Sequence, residues 1–165
     1  MIPTASQTVG PFFNFGLTAN PELGKIALEG VPIRLEFLVL DGDGLPTPGD
    51  SMIELWQADA AGHYGRGFGR LQTDANGVCV FQTVMPGSIG EGHAPHICVT
   101  IFARGLLRHL STRVYFEGEA LNDHDAVLAL VPEARRATLL ARRVEDTWHM
   151  VIRLQGDEET VFFDV

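Results

Sequence analysis

His96 and Cys98 stand two residues apart, so on a strand both side chains project from one face. With His93 just upstream, two imidazoles and a thiol could bind zinc or copper. The competing reading makes His96 a hydrogen-bonded core histidine and Cys98 a small apolar filler. Spacing favours this second reading, because a metal site ordinarily takes three or four ligands. Tyr64 is expected on a Gly-rich loop, 60–67, as a phenolate ligand, an acid/base group or a packing ring. Packing is the commonest of these uses. Arg113 interrupts the apolar run 112–116. It is either a solvated-face arginine or a fork for a carboxylate, and pattern alone leaves both open. Asp41-Gly42-Asp43-Gly44 has Met52 where a calcium loop needs its last carboxylate, so it reads as a turn. There is no Gly-x-Ser-x-Gly and no phosphate-cradling loop.

These residues need a scaffold, and period-2 alternation supplies one. Ile33, Leu35, Phe37 and Val39 oppose Arg34 and Glu36, predicting a strand over 32–40. Further strands are expected over 52–57 (carrying Trp56), 78–83, 96–103, 111–117, 148–154 and 160–164, with turns at 41–44, 75–77 and 155–157. About seven short strands indicate an all-β sandwich. Residues 121–143, rich in Ala, Leu and Arg, read as one or two short helices, with Pro132 opening the second. Residues 1–24 form a breaker-rich N-terminal arm. Its phenylalanines, Phe12, Phe13 and Phe15, must pack on the body or on another chain.

Composition narrows the function classes. The 165 residues carry 12 Lys+Arg against 21 Asp+Glu, a formal charge of −9 that repels phosphate backbones. No basic run offsets it, so nucleic acid is excluded as a partner. No apolar run reaches the ~18 residues of a membrane span. The N-terminus has no basic segment followed by an apolar one, so no secretory signal is expected. Cys79 and Cys98 are expected as buried free thiols, and the compartment as the cytoplasm. A 45% hydrophobic fraction suffices for one core, so residues 1–165 are expected as a single domain.

Several segments together resemble a known family. They are Thr4-Ala-Ser6-Gln7-Thr8-Val-Gly10-Pro11-Phe12, Glu54-Leu-Trp56-Gln57-Ala58, Pro86-Gly87, Ala94-Pro95-His96-Ile97, Thr112-Arg113-Val-Tyr115-Phe116 and Gln155-Gly156-Asp-Glu-Glu159-Thr160-Val-Phe162-Phe163-Asp164. Nearly end to end, the chain resembles the intradiol ring-cleavage dioxygenases, and among them the iron-free alpha-type chain of the heteromeric members. The resemblance implies a prealbumin-like β-sandwich. It also implies oxidative cleavage of protocatechuate by O2 to 3-carboxy-cis,cis-muconate, at a non-haem Fe(III) held by two Tyr and two His. Here the first Tyr corresponds to Tyr64 and the first His to His96. The second Tyr falls at Ser88 or Ile89 and the second His at Cys98, so these positions are vestigial. The resemblance therefore places the Fe(III) in a partner beta subunit. It gives this chain a pocket-lining role through Thr8, Gly10, Pro11, Phe12 and Arg113. Two other readings compete. One is a stand-alone prealbumin-like interaction module. The other is a self-sufficient metalloenzyme using Tyr64, His96, Cys98 and His93.

Overall fold

The computed structural model describes residues 8–10, 12–47, 49 and 51–164. The chain is all-β. Its strands are β1 (Pro32–Leu40), β2 (Ser51–Ala58), β3 (Tyr64–Gln72), β4 (Val78–Val84), β5 (His96–Ala103), β6 (Leu110–Phe116), β7 (Leu140–Val144) and β8 (Thr147–Arg153). They form one sheet in the order β3-β2-β5-β6-β7-β8-β1-β4. Neighbours are antiparallel except β1/β8 and the two-residue β6/β7 join, which are parallel. The sheet nearly closes on itself, so both halves turn their apolar faces to one core.

Alternation decides what enters that core. Leu35, Phe37 and Val39 of β1 face Ile53 and Leu55 of β2, with Ile97, Val99 and Ile101 of β5, in one cluster. Phe37 and Phe81 meet edge to face at 5.9 Å. Ile152 of β8 is fully buried in the same cluster. Ile152→Val is expected to cost about 0.5–1.5 kcal/mol, because the removed methylene leaves a void that rigid strands fill poorly. A shifted urea midpoint at unchanged slope is the measurement that checks it.

Three expectations need correction. The Gly-rich stretch beginning at Tyr64 is strand β3, not a loop. Its glycines permit close approach rather than a turn: a Cβ at Gly67 would overlap the Gln57 carbonyl oxygen of β2. The helical insert 121–143 is broken into the 3-10 turns Ala120–His124, Leu128–Leu130 and Ala137–Leu139 around one short helix, α2 (Glu133–Arg136), which Pro132 caps. Its last residues are strand β7, because pairing with β8 and β6 overrides the helical propensity of Ala, Leu and Arg. Residues 160–164 make only the isolated bridge Ser111↔Phe163. Near the N-terminus, the short helix α1 (Phe13–Leu17) precedes the Asn20-capped turn Pro21–Gly24. Pro11 and the motif residues Thr4 to Gln7 lie outside the described residues.

Candidate functional site

The faces of β2, β5 and β6 that turn away from the core carry the chemistry. Register places Trp56 beside Cys98 and Cys98 beside Arg113, in one row across three strands. The next row pairs His96 with Tyr115. Tyr64, at the start of β3, stacks on Trp56 at 5.9 Å with rings 3° from parallel. Cys98 acts on its hydroxyl electrostatically. The structure thus assembles Tyr64, Cys98, Arg113 and His96, which lie far apart in sequence, on a single face. It also corrects one expectation: Cys79 is a buried thiol, but Cys98 is only half-buried. Burial pushes the Cys79 thiol far above its ordinary range.

His96 is buried, and its Nδ1 lies 2.8 Å from the Ala94 carbonyl oxygen. A carbonyl only accepts, so Nδ1 carries the proton and Nε2 the lone pair. Nε2 is buried and has no hydrogen-bond partner among the described residues. Burial chiefly lowers the pKa of this imidazole, with Arg113 and His93 adding to the effect against Ala94 and Asp125. The folded protein therefore binds fewer protons here than the unfolded chain does. Stability from this group is full above the unfolded value near 6.5 and is lost as pH falls below it through the lower folded value. Melting temperature is expected to drop between about pH 7 and 5, and His96→Gln should flatten that slope.

The donor set on this face does not make the two-Tyr, two-His ferric site that the resemblance implies for the family. Burial, then Cys98, raises the Tyr64 phenol above its ordinary range despite Arg113 nearby. The Ser88 hydroxyl, with one proton to give, lies within hydrogen-bond distance of the carbonyl oxygens of Gly90 (2.9 Å) and His93 (2.6 Å). Ile89 has no ligating atom, and a thiol is a soft donor where ferric iron wants hard ones. Among the described residues, no group of three His, Cys, Asp or Glu is arranged to hold a metal. Gly62 (φ +84°) packs on this same loop, and a Cβ there would overlap the Ser88 carbonyl oxygen.

Arg113 is half-buried, and its guanidinium Nη1 donates to the Tyr115 hydroxyl at 3.5 Å. Tyr115 donates in turn to Asp125 at 2.9 Å. Asp125 also accepts from the backbone N–H groups of Ala94 (2.9 Å), Val127 (2.9 Å) and Leu128 (2.7 Å). Burial works against its charge, but these bonds outweigh it and keep its pKa below the ordinary value. Sequence reasoning missed Asp125. In the polar run Asn122-Asp123-His124-Asp125 nothing marks the one carboxylate that folds inward.

Among the described residues, Thr8, Gly10 and Phe12 make no hydrogen bond or ring contact with Tyr64, His96, Cys98 or Arg113. Thr8 and Val9 border a groove with Phe102, Leu106, Leu107, Arg108 and His109. Phe102 is four positions along β5 from Cys98, roughly 13 Å. Phe12 is 72% exposed and stacks on the equally exposed Phe15 at 5.8 Å. Gly10 is exposed as well, its carbonyl accepting from the Phe13 N–H. No helix is long and apolar enough to cross a membrane among the described residues.

No protein-family model matches the chain. It is 34% identical over 129 residues to the protocatechuate 3,4-dioxygenase beta chain of Burkholderia cepacia, covering 66% of this chain and 54% of that one. Its fold matches the dioxygenase domain of a dioxygenase–carbohydrate-binding protein fusion from Streptomyces sp. SirexAA-E. The TM-score is 0.64 at 27% identity, covering 92% of this chain and 96% of that one. The protocatechuate 3,4-dioxygenase alpha chain of Burkholderia cepacia is 41% identical over 192 residues, covering 98% of this chain and 97% of the relative. Identity of that order across both whole chains shows that this chain belongs to the family of protocatechuate 3,4-dioxygenase alpha chains.

Proposed function

We propose that this chain is the iron-free half of a heteromeric intradiol dioxygenase, assembled with a beta subunit in the cytoplasm. In this reading all 165 residues form one prealbumin-like β-sandwich domain with an N-terminal arm. The observation that carries it is the ruined donor set on the chain's own sheet face. One phenol and one imidazole remain, and Ser88 or Ile89 stands at one of the other two ligand positions and Cys98 at the second. A ferric ion held by the beta chain would supply the activation of protocatechuate towards O2.

This chain's residues then bind and orient. Arg113 carries its charge at one point in an acidic protein, where a guanidinium fork suits the substrate carboxylate. Thr8, Gly10, Pro11 and Phe12 contribute the arm that lines the partner's pocket. The exposed Phe12–Phe15 stack supports this, since it offers a rigid apolar surface for another chain to cover.

Co-expression with a beta chain tests the proposal. A stable complex is expected, holding iron and a ferric-tyrosinate colour that the isolated chain lacks. A coloured, active homomer would refute it. Failure of the two chains to co-purify would instead support a stand-alone interaction module.

A further inference from the structure

We infer that Asp125 and Tyr115 are positioning residues for Arg113: a buried carboxylate, acting through one hydroxyl, fixes the guanidinium for an anionic substrate. The inference rests on the pocket role proposed above for Arg113 and adds the device that sets its geometry.

A hydroxyl has one proton to give and two lone pairs to offer. The Tyr115 hydroxyl gives its proton to Asp125 and offers a lone pair to Arg113. That polarity is not reversible, because a guanidinium cannot accept and an ionised carboxylate cannot donate. Asp125 is 1% exposed, and its three backbone N–H partners hold it charged and in place. Those partners come from two separate segments, Ala94 before β5 and the turn after residue 125. The charge is thus tied to the sheet at one end and to the excursion beyond β6 at the other.

Residues 113 and 115 share a strand face, so the hydroxyl meets the guanidinium from its own strand. Among the described residues, no carboxylate pairs with Arg113 directly. A direct partner would occupy the fork, whereas a hydroxyl takes Nη1 alone and leaves N–H groups free for a ligand. A free arginine side chain also loses rotamer entropy on being fixed. Fixing it during folding removes part of that loss from substrate binding. The ligand class that benefits is a carboxylated catechol.

The test uses the iron-loaded complex with its beta chain, and compares protocatechuate with catechol, which lacks the carboxylate. Tyr115→Phe keeps the ring and removes the hydroxyl. It is expected to raise KM for protocatechuate about fivefold, leaving kcat and the KM for catechol unchanged. Asp125→Asn keeps an acceptor but removes the charge, and should show the same selective rise. In an Arg113→Ala background, Tyr115→Phe should add nothing further. Equal losses on both substrates, or none on either, would overturn the inference, as would failure of both variants to assemble. If Arg113→Ala removes discrimination between the catechols but Tyr115→Phe does not, only the positioning role falls. If Arg113→Ala itself changes nothing, the pocket role of Arg113 falls with it.

Discussion

Arg113→Ala in the assembled, iron-loaded complex is expected to raise KM for protocatechuate about 10–100-fold with little change in kcat. The size follows from the bond removed. A hydrogen bond to a charged group is worth about 1.5–3 kcal/mol, and about 1.4 kcal/mol is a factor of ten in binding. The effect should fall on KM because the substrate carboxylate stays ionised throughout the reaction, so its contact contributes equally before and at the transition state. Arg113→Lys should recover only part of the loss, since an ammonium supplies a point charge without the planar fork. Steady-state kinetics on both variants, with salt held constant, decide it. An unchanged KM in Arg113→Ala would remove this side chain from the pocket.

Gly62→Ala is expected to destabilise the chain by about 2–5 kcal/mol, the largest stability loss predicted here for one methyl group. Two effects combine. Gly62 has φ +84°, a left-handed conformation that costs an L side chain roughly 1–2 kcal/mol. The added Cβ would also occupy the space of the Ser88 carbonyl oxygen, and displacing a packed backbone costs about 1–3 kcal/mol more. For a domain of this size the melting temperature should fall by roughly 5–20 °C. Gly65→Ala is the control: a Cβ there meets nothing within 4 Å, so it should leave the melt nearly unchanged. A thermal melt of Gly62→Ala matching the wild type would show that the 59–63 and 86–92 loops do not pack as described.

Alternation made strands such as β1 and β5 legible, because a one-residue slip would turn Leu35, Phe37 and Val39, or Ile97 and Val99, out of the core. β3 was hidden by its glycines, which look like turn residues. At Gly67 the reason is the Gln57 carbonyl oxygen of another strand and at Gly69 the Ile26 side chain, neither of which local pattern can show. β7 was hidden because its composition favours a helix and only its neighbours make it a strand. At the site, motif reading singled out Tyr64, His96, Cys98 and Arg113, and the fold gathers them. It could not reveal that Tyr115 joins Arg113 to Asp125, since that link depends on how residues 117–131 turn back over the sheet. The exposure of Phe12 and Phe15 follows a composition cue that was legible: aromatic residues in a segment too broken to enclose them.

In the reading proposed above, the loop after Pro86 bears on how this chain stays without iron. Ser88 closes that loop with its hydroxyl on two carbonyls, and Gly62 presses against its backbone. A tyrosine introduced at position 88 would forfeit that hydroxyl's contacts and need room for a ring. Cys98→His alone would add a second imidazole with no second phenolate. Each single step back towards a ferric site therefore destabilises the loop or gains no function. Under that reading the loss is a one-way step, and this half of the pair is left to holding and shaping rather than to redox chemistry.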